Sequence, residues 1–245
     1  MLAAYGVPAA HNSGHAPTVA ELAFGRAAAT AWETSSVACA RWIQNLRSTW
    51  LPAHGRSTAT SVRPVPIDAA ATDLAEAAVA AGWAEIDTDG RFQPIASAHA
   101  SIAARLQAPA ELIKQLEGGW CELRAADLML TSGRFSDLRW SVQAPALEQI
   151  ALGETDIIAL DRQSLRPVFV SCKSSTQFNK PLEHLFALRQ RTVHFGGTFA
   201  ESVLWIARVV HDEDHQRLVA WCLAAHVRLV LGLGPHNDWL RPPAP

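Results

Sequence analysis

The second half of the chain alternates short apolar runs with amphipathic stretches, a pattern typical of a sheet flanked by helices. Predicted strands cover 138–143, 155–160, 167–170, 202–207 and 227–231, and predicted helices cover 120–130, 182–195 and 212–226. A helix also opens at Pro109, and Gly118-Gly119 is expected to interrupt it. The polar residues at 161–164 predict a hairpin between the second and third strands. The order α-β-β-β-α-β-α-β predicts an α/β domain with a mixed sheet.

The first half is rich in alanine and shows a different pattern. Helices are predicted over 18–31, 35–50, 69–81 and 97–106, with a loop over 52–66 and a hairpin turn at 87–90. Asp68 is a suitable N-cap and Gly82 a suitable C-cap for the third of these helices. Helix, hairpin and helix together outline a small winged-helix unit, and they equally fit a helical linker with one hairpin. We therefore divide the chain into a helical N-terminal region 1–65, a winged-helix-like connector 66–108 and an α/β domain 109–245.

Composition limits the class of protein. Hydrophobic residues make up 49% and charged residues 18% of the 245 residues, as in packed globular proteins. The formal net charge of -2 shows no basic excess, so nucleic acid would be bound locally or through a metal ion. The cysteines form no CxxC pair, which favours reduced, buried thiols over a zinc site. With no apparent signal peptide or membrane-spanning run, we expect a cytoplasmic protein.

Three residues suggest chemistry. Glu122 lies early in a helix, Asp156 near the start of the second strand of the α/β domain, and Lys173 just after the third. The hairpin brings Asp156 towards Lys173, and carboxylates with a nearby ammonium suit metal-assisted phosphodiester hydrolysis. Glu154 faces the same side of the strand as Asp156 and is an additional candidate ligand. The backbone carbonyl of Cys172 is a further candidate for the metal shell.

The ordered motifs are GGWCE (118–122), ETDIIAL (154–160), VFVSCKSS (168–175) and LEHLFALRQRTVHFGG (182–197). Together they resemble the PD-(D/E)xK nuclease domain of CRISPR ancillary nucleases coupled to CARF sensors. The resemblance implies a restriction-endonuclease-like mixed sheet flanked by helices, preceded by a small winged-helix-like segment and a helical N-terminus. It also implies Mg²⁺ or Mn²⁺ as cofactor, DNA and also RNA as substrate, a homodimer, and a role in antiviral defence. Metal-binding and catalytic roles then fall on Glu122, Asp156 and Lys173.

The sequence departs from the family pattern at two points. Ser171 stands where the family often has a glutamate, and a hydroxyl replaces a metal-binding carboxylate poorly. The region 1–65 is too short for a CARF domain, so a lost or shortened sensor is expected and a cyclic-oligonucleotide activator is not. The alternative function is a catalytically degenerate nuclease fold that binds nucleic acid or protein.

Basic and histidine-containing segments are weaker candidates. Lys180, His184, Arg189 and Arg191 fit either a basic lip that contacts phosphate or an ordinary solvated helix face. His211 and His215 have metal-ligand spacing on a helix. Acidic residues at a helix N-terminus explain that segment more simply.

Overall fold

The computed structural model describes residues 14–51, 62–95, 109–143 and 153–241. The chain forms two compact units, one spanning Thr18–Trp120 and the other Cys121–Pro245 together with Met1–Pro17. The predicted helix over 97–106 and most of the predicted loop over 52–66 lie outside the described residues. The three-part division near residues 65 and 108 stays a prediction. No helix in the described ranges is both long enough and apolar enough to cross a bilayer.

The unit Thr18–Trp120 begins with a long helix and continues into a small antiparallel sheet. Its elements are α1 (Val19–Trp50), β1 (Val65–Pro66), α2 (Thr72–Ala80), β2 (Ala84–Ile86) and β3 (Arg91–Pro94), with strand order β1-β3-β2. A capping box between Thr18 and Glu21 starts α1, and the helix kinks at Ser35. The two helices predicted for this region meet at this kink, where Ser35 has non-helical backbone angles. Asp68 accepts a hydrogen bond from the Ala70 amide and caps the 3₁₀ turn that leads into α2.

Aromatic residues form the core of this unit. The Phe92 ring lies 5.0 Å from that of Trp42 and 6.0 Å from that of Trp50. Both indole N–H groups donate to backbone carbonyls near β1, Trp42 to Pro66 and Trp50 to Arg63. These contacts pack α1 against the small sheet.

The segment before the α/β sheet corrects one prediction. Residues 109–114 are helical, and Gln115–Gly119 form a π-helical turn that leads into α3 (Trp120–Thr131). The expected interruption at Gly118-Gly119 is therefore wrong. A Cβ at Gly119 would lie 1.9 Å from Oε1 of Gln115, so the glycine makes room for that side chain. The backbone widens into a π turn and stays helical.

The unit that contains Cys121–Pro245 is built on a five-stranded mixed sheet with the order β4-β5-β6-β7-β8. The strands are β4 (Phe135–Gln143), β5 (Glu154–Asp161), β6 (Arg166–Lys173), β7 (Glu201–Ile206) and β8 (Arg228–Leu231). The first two strand pairings are antiparallel, and β6-β7 and β7-β8 are parallel. Each parallel connection requires a crossover, which α4 (Pro181–Gly196) and α5 (Asp212–Ala224) supply. The predicted order of elements is confirmed.

The apolar faces of the sheet and the crossover helices form one core. Leu185 and Leu188 of α4, Leu218 and Cys222 of α5, and Phe169 of β6 are all buried in it. The charged turn between β5 and β6 is fixed by Asp161, which accepts hydrogen bonds from the Gln163 amide and from Arg134. Packing on one side and the tight turn on the other set the register of β6, and this register positions the site residues described below.

Replacement of Phe169 by alanine tests the importance of β6. Phe169 is fully buried, so Phe169→Ala should lower the free energy of unfolding by about 3–5 kcal/mol. The control is Phe199→Ala, because Phe199 is 75% exposed and its removal should change stability by less than about 0.5 kcal/mol. Denaturant unfolding of the two variants measures both values, and equal losses would contradict this account of the core.

Candidate functional site

The β5-β6 hairpin brings Asp156 next to residues 171–173. Ile157 lies opposite Val170, and beyond this pair the Asp156 carboxylate turns towards β6. Its Oδ2 accepts a hydrogen bond from the Ser171 hydroxyl at 3.0 Å and another from the Cys172 amide at 2.6 Å. A carboxylate at this depth in the sheet needs such donors, since an unpaired one would be costly.

Lys173 supplies a positive charge to the same carboxylate. Its Nζ lies 3.9 Å from Oδ2 of Asp156, and the two side chains are 27% and 13% exposed. Burial raises the pKa of Asp156, and it outweighs the opposing effects of the Lys173 charge and of the hydrogen bonds from Cys172 and Ser171. The negative charge of Glu154 raises that pKa further. Burial therefore disfavours the ionised form of Asp156, and a nearby cation such as the Lys173 ammonium favours it.

Glu154 is held by β4. Ser141 lies on β4 with a φ of 54°, an unusual left-handed conformation for a serine within a strand. From there its hydroxyl donates a hydrogen bond to Oε1 of Glu154. A strained residue that orients a carboxylate is typical of functional sites.

Glu122 is held by the same strand. It lies in the first turn of α3, and its Oε2 accepts a hydrogen bond from the indole N–H of Trp140 at 2.8 Å. Glu122, Asp156 and Lys173 also share a neighbour. Burial raises the pKa of the Cys172 thiol well above its usual value, and the charges of Asp156 and Glu122 add to that effect. All three predicted residues therefore act electrostatically on the buried Cys172 thiol.

His184 reaches the site from α4. Its Nε2 lies 2.8 Å from the Ser171 hydroxyl, so Ser171 lies between the imidazole and the Asp156 carboxylate. Burial lowers the pKa of His184 to about 4, with smaller contributions from the positive charges of Lys173 and Arg191. The imidazole is consequently neutral at physiological pH.

The other predicted basic residues, Lys180, Arg189 and Arg191, differ in how deeply they are buried. Arg191 is buried rather than on a helix surface, and the charges of Asp156 and Glu154 oppose the lowering of its pKa by burial. A Cβ on Gly153 would lie 3.0 Å from its Nη1, so the start of β5 passes close to this guanidinium. Lys180 is exposed and pairs with Glu183, while Arg189 donates weakly to the Ala200 carbonyl. Arg191 thus belongs to the interior of the site, and Lys180 does not.

No cluster with metal-binding chemistry is found in the described ranges. Across residues 14–51, 62–95, 109–143 and 153–241, no group of three or more His, Cys, Asp or Glu side chains is placed to hold a metal ion. His211 and His215 lie within these ranges and are not part of such a group. All four cysteines are buried free thiols, in agreement with the sequence.

The sequence analysis did not identify Trp140 and Ser141, the two residues that donate hydrogen bonds to the carboxylates of Glu122 and Glu154. Both lie on β4, where an alternating pattern marks a strand and gives no sign of a polar role. The contact of His184 with Ser171 was also not predicted. Only the position of His184 on the helix after β6 hinted at such a contact.

These elements define the class of fold as α/β, with a five-stranded mixed sheet flanked by helices. Neither a protein-family model nor a curated protein matches the sequence. A solved structure, protein VC1899 from Vibrio cholerae, is 16% identical with a TM-score of 0.55, and the match covers 98% of this chain and 57% of that one. Can2 from Sulfobacillus thermosulfidooxidans, solved with cyclic tetra-adenylate, is 15% identical with a TM-score of 0.44, covering 81% of this chain and 52% of that one. The chain therefore spans little more than half the length of either protein, and the match to VC1899 shows a shared fold alone.

Replacement of Lys173 tests the electrostatics of the site. Lys173→Met removes a positive charge that disfavours protonation of His184, so the pKa of His184 should rise above its value of about 4. Titration of the imidazole by NMR measures the shift. Lys180→Met is the control, because this exposed lysine pairs with Glu183 and should leave the His184 titration unchanged. Identical His184 midpoints in the wild type and Lys173→Met would contradict the arrangement.

Proposed function

We propose that this protein is a metal-dependent nuclease that hydrolyses phosphodiester bonds in DNA, with RNA as a second substrate. The observation that carries the proposal is the contact of Asp156 with residues 171–173 at the open end of a β-hairpin. There a carboxylate, a strand amide and a lysine ammonium meet within 3.9 Å. This is the chemistry that hydrolysis of an anionic phosphodiester requires.

The donors suit a hard divalent cation such as Mg²⁺ or Mn²⁺. Asp156 would be the central ligand, with the Cys172 carbonyl and one of the two other carboxylates, Glu154 or Glu122, as further oxygen donors. Since no three-ligand group is present in the described ranges, water and substrate phosphate would complete the shell, as is usual for Mg²⁺. A bound ion of this kind polarises the phosphate and lowers the pKa of a coordinated water.

The protein side chains then have distinct tasks. Lys173 would orient the attacking water and stabilise the negative charge that develops on the phosphate. Trp140 and Ser141 hold Glu122 and Glu154 in place before any ligand arrives. Arg189 and Lys180, on or beside α4, would contact the nucleic-acid backbone, and Arg191 would balance the buried carboxylates from within.

A second function is favoured by one observation, the serine at position 171. With a hydroxyl in place of a carboxylate, the site has fewer oxygen ligands than the family pattern offers. A catalytically degenerate nuclease fold would then bind nucleic acid or protein without cutting. Metal binding separates the two functions, since the degenerate form has no need of Mn²⁺.

Two substitutions test the catalytic proposal directly. With Mn²⁺ or Mg²⁺, the full chain should nick plasmid and single-stranded DNA. Asp156→Asn and Lys173→Met should each lower the rate by about 100-fold or more, because each removes a group that stabilises the transition state. Single-turnover cleavage assays on DNA and RNA give these rates.

Matched controls come from exposed ion pairs in the same unit. Asp238→Asn and Arg217→Met change the same kinds of charge at exposed positions and should cut at the wild-type rate. If the wild type is inert with both metals and calorimetry shows no Mn²⁺ binding, the binding-module alternative replaces the nuclease proposal. Cutting that survives in Asp156→Asn would remove Asp156 from the mechanism.

A further inference from the structure

Strand β4 lies at the edge of the five-stranded sheet and carries the donors that hold two carboxylates of the site. Trp140 donates a hydrogen bond to Glu122, and Ser141 donates one to Glu154. The pairing of β4 with β5 is irregular, since the register shifts once along the strand. The geometry of both carboxylates therefore depends on an irregular strand that has a long neighbour on one side only.

The outer side of β4 is contacted by residues 14–17, which precede α1 and belong to the same compact unit as the sheet. His15 forms an antiparallel bridge with Trp140, and its carbonyl accepts a hydrogen bond from the Trp140 amide at 2.9 Å. The His15 ring packs edge-on against the Trp140 ring, with the ring centroids 5.3 Å apart. Trp140 is therefore contacted through both its backbone and its side chain, and it is buried.

Gly14 permits this close approach to β4. Its φ is 64°, and a Cβ at this position would lie 2.9 Å from the Trp140 carbonyl oxygen and 2.6 Å from Cγ2 of Val142. A side chain can rotate away from such a contact, whereas a backbone oxygen held in a strand cannot. Any larger residue at position 14 would therefore move the segment away from Trp140.

We propose that residues 14–17 are a positioning segment for the candidate site, which holds Trp140 at the edge of the sheet so that Trp140 holds Glu122. The link consists of two steps. The His15 carbonyl and ring contact Trp140, and the Trp140 indole N–H donates to Oε2 of Glu122 at 2.8 Å. The consequence for hydrolysis rests on the proposed function, whereas the effect on Trp140 and Glu122 does not.

Loss of the segment would act on Glu122 through water. Without His15, the Trp140 ring loses a packing partner and the Trp140 amide loses its acceptor. Water then competes for the hydrogen bond between the indole and Glu122, and the carboxylate gains freedom of movement. Misplacement of a reacting group by about 1 Å lowers a rate by about 100-fold, so partial loss of order at Glu122 should lower it by about tenfold.

NMR of the ¹⁵N-labelled full chain tests the segment without reference to activity. Trp140→Phe assigns the Trp140 indole resonance among the nine tryptophans. Gly14→Ala should move this resonance upfield, because the hydrogen bond to Glu122 weakens, and should speed exchange of the Trp140 amide by about tenfold. Gly133→Ala is the matched control, because Gly133 has a similar φ of 68° and an added Cβ would meet no described atom within 4 Å.

The ring of His15 is tested separately from its backbone. His15→Ala keeps the carbonyl acceptor and removes the ring, so the Trp140 indole resonance should move while the Trp140 amide exchanges at nearly the wild-type rate. His15→Phe supplies another aromatic ring and should restore the resonance. His236→Ala changes an exposed histidine of the same unit and should affect neither signal. An indole resonance that is unmoved in both Gly14→Ala and His15→Ala overturns the inference.

Single-turnover cleavage of DNA provides the second measurement. His15→Ala and Trp140→Phe should each lower the rate by about tenfold. The double variant should cut no more slowly than Trp140→Phe alone, because His15 acts through Trp140. Circular dichroism of each variant verifies that the fold is retained. Additive losses in the double variant would contradict the proposed link.

Failure of the inference is distinguishable from failure of the nuclease proposal. Cutting that requires Asp156, with an indole resonance unmoved in Gly14→Ala and His15→Ala, leaves the nuclease and removes the positioning role of the segment. A resonance that moves in both variants of a chain that cuts neither DNA nor RNA leaves the segment in its role and removes the nuclease. An unmoved resonance in an inert chain removes both.

Discussion

The site depends on one constraint, the need of the Asp156 carboxylate for donors where it enters the sheet. The Cys172 amide, the Ser171 hydroxyl and the Lys173 ammonium all come from the last three residues of β6. They reach Asp156 only if β5 and β6 keep their register, which the Asp161 turn and the burial of Phe169 fix. The same strand register therefore determines both the stability of the core and the geometry of the site. A shift of β6 by one residue against β5 would turn these side chains to the other face of the sheet.

Each of the three carboxylates is already hydrogen bonded to a protein donor. Trp140 holds Glu122, Ser141 holds Glu154, and the end of β6 holds Asp156. Such anchoring keeps the acidic groups apart and oriented. The neutral His184 and the buried Arg191 complete a set of neighbours whose charges nearly balance within the site.

Much of the fold followed from local pattern. The β5-β6 hairpin, the helices of the α/β domain and the order of the elements along the chain were all predictable, because alternation and turn residues act over short distances. The expected break at Gly118-Gly119 was wrong because glycine was taken as a helix breaker, whereas here it makes room for the Gln115 side chain. The predicted division of the first helical region into two helices agrees with the non-helical kink at Ser35.

By itself, the sequence determined the elements, the hairpin and the proximity of Asp156 to Lys173, since these are separated by a single turn of chain. Only the tertiary structure decided which side chains surround them. Trp140 meets Glu122 across a strand and a helix, His184 meets Ser171 across a crossover, and Arg191 is buried rather than exposed. The physical reason is that these contacts depend on how helices pack on the sheet. Packing is set by the whole core, and no short segment encodes it.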